Sequence, residues 1–215
     1  FIIFSLSVSN YSNRKNLFSP DEARRLVHAT VGLVMSFSTV IFSSKFPPLL
    51  LAITFIFINI IAFRSKLLFG IHSQKRKSYG TIYFPLSYLI VSYFFWEKNQ
   101  FAILCLLILA ISDPIAAQIG SMKSSTWKFK VWHDYKTING TIAFFISSIL
   151  ILATGNVFIL KYNLIDSISF ILITAIFATI SEITSKRGTD NISIPIISIL
   201  FMVGLNDQLS IHQDI

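Results

Sequence analysis

The sequence predicts an all-α, polytopic integral membrane bundle of about seven transmembrane helices, and three observations carry that reading. Of 215 residues, 53% are hydrophobic and only 13% are charged, more apolar surface than one water-soluble core can hide. Apolar runs of bilayer length recur along the chain. About 20 mostly apolar residues cross the hydrocarbon, and seven segments approach that length: residues 26–44, 46–63, 79–96, 101–120, 138–160, 164–183 and 192–205, the last being the shortest. Finally, the cations alternate. Arg14, Lys15, Arg24 and Arg25 precede the first segment, five lie from Arg64 to Lys77, four from Lys123 to Lys136, and Lys186 and Arg187 follow the sixth. The intervening loops carry only Lys45, Lys98 and Lys161. The positive-inside rule places the rich side in the cytoplasm and the C-terminus outside. Dropping one segment would scramble the alternation. The net charge of +8 is therefore mainly a topology signal. A basic cytoplasmic face would also attract anionic headgroups or a nucleotide, and no nucleic-acid partner is expected.

Taken in order, residues 1–25 form an N-terminal cytoplasmic segment whose apolar start, 1–8, is too short to span and is expected to be the tail of a preceding helix. Residues 26–205 form the transmembrane domain, and 206–215 a short C-terminal tail. In "SPDEARRL" (19–26), Ser19 suits an N-cap, Pro20 the first helical position, and Glu22 a capping box. Arg24, Arg25 and His28 then share a helical face. Pro47 and Pro48 fall at an outer turn. The lone Cys105 excludes an intramolecular disulfide and cannot by itself build a metal site.

The fourth segment ends in "SDPIAAQIG" (112–120), and its carboxylate needs a reason. On a helix, Asp113, Ala116, Ala117 and Gly120 form a stripe of small residues that lets another backbone or a ligand come close. Pro114 frees a carbonyl one turn earlier and can kink the helix. A carboxylate in hydrocarbon costs on the order of 3 kcal/mol and needs a partner; Lys136, Arg24 or Mg²⁺ would serve. In the seven-span topology His28, Asp113, Lys136, Thr137, Glu182, Asp190 and Asn191 all lie at the cytoplasmic boundary. The acids Asp113, Glu182 and Asp190 suit Mg²⁺, whose shell phosphates would complete. Each has a plainer reading as well. Asp113 could lock two helices by an ion pair, His28 could simply pack, and Glu182 could pair with Lys186 on one helix face. "TDNISIP" (189–195) could be only a turn and cap, and "QKRKSYG" (74–80) only a topological anchor.

Together and in this order, "RRLVHATVG" (24–32), "YGTIYFPL" (79–86), "SDPIAAQIG" (112–120), "KTINGTIAFF" (136–145) and "SEITSKRGTDNISIP" (181–195) resemble the polyprenol kinase family: phytol kinases, dolichol kinases and CTP-dependent diacylglycerol kinases. The specific part is Asp-Pro-x-Ala-x-x-x-Gly followed by Lys-Thr-x-x-Gly-x-x-Ala-Phe. One departure is Asn139, which stands where the family commonly has Glu and can hydrogen-bond or ligate without charge.

The resemblance implies a membrane-embedded transfer of the terminal phosphoryl group of a nucleoside triphosphate, typically CTP, to a lipid alcohol, with Mg²⁺ as cofactor. Asp113, Lys136, Glu182 and Asp190 would be catalytic, with Asp113, Glu182 and Asp190 as metal ligands or base. Arg24, His28, Gly120, Thr137, Asn139, Gly140 and Asn191 would bind substrate or nucleotide. No Walker loop or soluble-kinase signature occurs, so helix ends and loops must build the nucleotide site. Two alternatives differ in chemistry. A phosphatidate cytidylyltransferase would release pyrophosphate, but the Ser-Pro-Lys lead-in before Lys-Thr is replaced by "WHDYKT". An ion-coupled transporter would use Asp113 and Glu182 for its ion, and no internal repeat supports it.

Overall fold

The computed structural model describes residues 20–65, 79–132 and 134–213. Residues 1–8, Ser19 and all of "QKRKSYG" before Tyr79 lie outside the described residues. The chain is mostly helical, and each of the seven apolar segments carries a helix. We number them α1 (Pro20–Ser36), α2 (Ser38–Ile41), α3 (Phe46–Ser65), α4 (Gly80–Phe94), α5 (Asn99–Leu107), α6 (Asp113–Gly120), α7 (Ile138–Gly155), α8 (Ile168–Thr184) and α9 (Asp190–Gln213).

Several boundaries differ from the apolar runs for local reasons. The first run breaks at Phe37 and its helix ends at Ile41, where buried Ser38 receives a hydrogen bond from Tyr88 (2.6 Å). Pro47 and Pro48 sit in the first turn of α3 rather than in a turn before it, a place where a missing N–H costs nothing. The shortest run underestimates α9, which extends through its polar tail to 24 residues. A feature outside the all-α reading is an antiparallel hairpin of β1 (Lys128–Val131) and β2 (Asp134–Thr137), with Lys128 opposite Thr137 and Val131 opposite Asp134.

The centre of the bundle is the continuous helix Trp96–Gly120, made of a 3₁₀ turn, α5, a π-helical turn (Ile108–Ser112) and α6. Phe101, Ala102, Leu104, Cys105, Ile108 and Leu109 are buried on all sides of it, as a helix apolar all round must be. Around it pack α1, α7 and α9; α8 lies against α7 and α9, α4 against α9, and α3 against α4. Outward faces are apolar, with Leu50, Phe57, Phe94, Leu150, Phe158 and Leu200 exposed. Two helices, Trp96–Gly120 and Ile138–Leu160, are long and apolar enough to cross a bilayer, and five shorter apolar helices accompany them.

Helix α1 meets the central helix at its π-helical turn through Gly32. A Cβ at Gly32 would stand 2.5 Å from the Ala110 Cβ and 3.2 Å from its Cα, so only a hydrogen side chain allows this crossing. At Gly204 a Cβ would meet nothing within 4 Å. Gly32→Ala should therefore cost about 1–3 kcal/mol through overpacking. Gly204→Ala should leave stability unchanged or raise it through helix propensity. Thermal unfolding of both variants in detergent micelles checks the contrast.

Candidate active site

The hairpin brings Lys136 to a place that helix geometry alone would not give it. Lys128 to Val131 alternates cation and apolar residue, a pattern suited to a half-buried strand, and Trp132 turns the chain with a left-handed φ of 55°. The tip docks on the C-terminal end of α8: the Trp132 indole donates to the Thr184 carbonyl oxygen (3.0 Å), a group that the helix end leaves without an internal partner. The Lys186 ammonium lies 5.1 Å over the same ring. Strand β2 then runs back to α7, whose N-cap Thr137 accepts from the Gly140 N–H (3.2 Å). On the way it sets Lys136 against Glu182, with which it forms an ion pair. Glu182 thus pairs across the fold and not with Lys186 on its own helix.

The turn between α8 and α9 is shaped to match. Arg187 and Gly188 both take positive φ, 51° and 92°, and Lys186 N–H donates to Thr189 Oγ1 (2.9 Å). Tyr79 N–H donates to the Arg187 carbonyl (3.0 Å), tying the turn to the start of α4. Asp190 opens α9, and its Oδ1 accepts from both the backbone and side-chain N–H of Asn191 (2.9 Å each).

Asp113 follows the π-helical turn directly. Proline at 114 has no N–H and its ring crowds the carbonyl four residues back, Ala110; the wider π turn is how the helix accommodates it. Ser148 supports this turn from α7 through its hydroxyl on Ser112 Oγ (3.2 Å). The small-residue stripe beyond Asp113 serves helix approach. A Cβ at Gly140 would stand 3.0 Å from the Ala116 carbonyl and 3.3 Å from Gly120 Cα, and one at Gly120 would stand 2.7 Å from Thr137 Oγ1.

These elements enclose one cleft of about 980 Å³. Asp113, Lys136, Glu182 and Asp190 all line it, as do His28, Gly120, Thr137, Gly140 and Asn191. Asn139 does not line it; it is exposed on the first turn of α7. The side chain of Arg24 lies outside the described residues, and its neighbour Arg25 lines the cleft instead, donating to Gln118 Oε1 of α6 (2.9 Å). Sequence reasoning also passed over Asn59, Thr81, Asp134, Thr141 and Arg187, all on the cleft wall. Asn59 carried a signal, since it is the one amide in the apolar run of α3.

Electrostatics and unmet hydrogen bonding mark the polar end. Burial lowers the Lys136 pKa, but Glu182, then Asp190 and Asp113, raise it more, and the ammonium ends above the ordinary lysine value of 10.5. With a raised folded-state pKa, its contribution to stability is complete below 10.5 and is lost as pH climbs through the folded value. Around it, Glu182 Oε2, Asn191 Oδ1, Thr81 Oγ1 and Thr141 Oγ1 are buried on the cleft wall without a hydrogen-bond partner. Buried polar atoms are normally satisfied, so four orphans among the lining residues leave the cleft with hydrogen-bonding capacity for a polar ligand. As for a metal, the carboxylates are the hard oxygen donors that Mg²⁺ takes. Among the described residues, however, no three such side chains form a ready cage, and Glu182 Oε1 is already engaged by Lys136. The set fits a metal that arrives with phosphate oxygens and takes one or two carboxylates from the protein.

No protein-family profile matches the chain, and no solved structure matches it. A phytol kinase from Synechocystis sp. is 26% identical over 196 residues, which cover 87% of this chain and 81% of that relative. The likeness runs along most of both chains.

Proposed function

We propose that the protein is a multi-pass membrane enzyme of seven spans that transfers the terminal phosphoryl group of CTP to a polyprenol-type alcohol such as phytol or dolichol, in a cleft facing the cytoplasm. The observation that supports it most is the character of the cleft. Arg25, Lys136 and Arg187 with Asp113, Glu182 and Asp190 line it together with the apolar side chains Val31, Met35, Phe55 and Phe84. A triphosphate needs the first kind of surface and a lipid tail the second.

The residues divide the work by charge and position. Lys136 and Arg187 hold phosphate oxygens, countering charge that spreads over them as the phosphoryl group passes. Asn191 and Thr81 hydrogen-bond the same oxygens. Asp113 or Glu182 accepts the proton of the lipid hydroxyl as its oxygen bonds to the γ-phosphorus and the bond to the β-phosphate oxygen breaks. The products are a lipid monophosphate and CDP. Mg²⁺, when bound through Asp113, Asp190 or Glu182, would neutralise phosphate charge and orient the triphosphate.

Purified protein given γ-labelled CTP, Mg²⁺ and a panel of phytol, geranylgeraniol, dolichol and diacylglycerol should yield a labelled lipid monophosphate plus CDP. A CDP-lipid with pyrophosphate would instead mark a cytidylyltransferase. Asp113→Asn should abolish labelling, and wild-type turnover in that variant would refute its role. Lys136→Met should lower kcat by about 10²–10³-fold and, by leaving Glu182 buried and unpaired, cost about 3 kcal/mol of stability. The double variant Lys136→Met/Glu182→Met should recover part of the stability and none of the activity, as read by denaturation and turnover together.

A further inference from the structure

The hairpin carries a second group of side chains that the cleft does not absorb. Trp127, Trp132 and Tyr135 are 74%, 61% and 61% exposed, and Lys123, Lys128 and Lys130 are exposed among them. Of these six only Tyr135 borders the cleft. Strand register explains the division. Lys130 stands opposite Tyr135, so the two share one face of the hairpin; Phe129 opposite Lys136 and Val131 opposite Asp134 share the other. The second face carries the Lys136 ion pair to Glu182. From Ser121 to Thr137 the only carboxylate is Asp134, which lines the cleft, so the exposed charge of the hairpin is positive.

Helix α7 sets the level of this surface. The Ile138 N–H donates to the Trp127 carbonyl oxygen (3.1 Å), which fixes Trp127 beside the first turn of α7. That turn opens Ile138–Leu160, 23 residues long and apolar enough to cross a bilayer. Such a helix measures about 35 Å against a hydrocarbon thickness of about 30 Å, so its first turn falls at the edge of the hydrocarbon. Ile138, Ile142, Ile146 and Leu150, four residues apart, are all exposed. The aromatic and basic surface thus stands at the head of an apolar strip.

We infer that the hairpin is a binding surface for anionic phospholipid: it lies in the headgroup layer, with Trp127 at the glycerol level and Lys123, Lys128 and Lys130 on the phosphates. The inference rests on the membrane placement proposed above and is independent of the kinase chemistry. Tryptophan and tyrosine favour this layer because their rings are apolar while the polar tip stays wet. Lysine stems run along apolar surface and deliver the ammonium to the phosphates. Charge complementarity then selects the lipid, since each lysine near a negatively charged leaflet contributes about a fivefold preference for it. The same hairpin positions Lys136, so one short element serves the lipid surface on one face and the cleft on the other.

The test puts a bimane fluorophore on the full chain through Thr126→Cys, an exposed position next to Trp127, in a Cys105→Ser background, reconstituted in liposomes of phosphatidylserine and phosphatidylcholine. Spin-labelled forms of the two lipids, each with its nitroxide near the glycerol, are compared as quenchers beside aqueous iodide. The serine lipid should quench about fivefold more than the choline lipid, high salt should bring that ratio toward one, and iodide should quench weakly. The triple variant Lys123→Gln/Lys128→Gln/Lys130→Gln should bring the ratio to about one with thermal unfolding unchanged, and Trp127→Ser should raise iodide quenching. Equal quenching by the two lipids in the wild-type hairpin, or a ratio that survives the triple variant, would overturn the inference. So would strong iodide quenching with none by either lipid, which would leave the hairpin in water and its surface to another partner. The same label at Phe158, 77% exposed near the far end of the helix, should be quenched alike by both lipids. Absence of lipid quenching there would refute the membrane placement, and lipid quenching there with none at position 126 would refute the lipid surface alone.

Discussion

A lysine ammonium withdrawn from water keeps its proton only where nearby carboxylates offset the lost hydration, and the polar end of this bundle is arranged around one such group. Lys136 reaches Glu182 because a short hairpin folds back from the end of α6 and anchors its tip, Trp132, on the last carbonyls of α8. Remove that docking and α6, α7 and α8 would present their charged ends separately. With it, Asp113, Lys136, Glu182 and Asp190 border a single cavity. The pair is also poised. Lys136 holds one carboxylate oxygen of Glu182 while the other is buried with no partner, so an incoming ligand finds both a cation and an unmet acceptor.

The rest of the cleft follows from how the helices are kept apart. Gly32 lets α1 sink onto the π-helical turn at Ala110, and Gly140 and Gly120 let α7 approach α6. Residues of α1 and α3 such as Val31 and Phe55 carry the cleft lining on from its charged groups to apolar ones. One cavity thereby presents both charged and apolar lining. That is the physical requirement for moving a charged group from a water-soluble donor to a lipid, and it agrees with the likeness to a phytol kinase.

Much of this was legible in the sequence, and the gaps have physical causes. Composition and spacing located each of the seven apolar helices, since a run of apolar residues carries its meaning locally. Boundaries were less legible: the polar end of α9 hides its length, and the break at Phe37 depends on a tertiary contact between Ser38 and Tyr88. The hairpin was missed because a strand pair of four residues each is too brief to compete with flanking helices in any periodicity, although Lys128 to Val131 alternates as a strand should. Among the side chains read as functional, those at helix ends line the cleft because the topology carries all those ends to one side. Asn139, one position before Gly140, points elsewhere, since on a helix a neighbour in sequence is not a neighbour on the face. Asn59 was marked only as the one amide in an apolar run and Arg187 only as a loop cation, and it took tertiary structure to bring both to the cleft.

Convergence of the hairpin and α8 at one cytoplasmic rim is the claim on which the functional reading depends, and cysteine cross-linking in native membranes tests it most directly. Cys105, the single cysteine, is buried and can be replaced by serine to give a silent background. Cysteines placed together at Lys136 and Glu182 should be joined by a short bifunctional maleimide, since an ion pair of two long side chains leaves a gap that a direct disulfide does not span, and when left unjoined an impermeant maleimide should reach them from the cytoplasmic side only. Failure to join, or modification of the two from opposite sides of the membrane, would contradict the account.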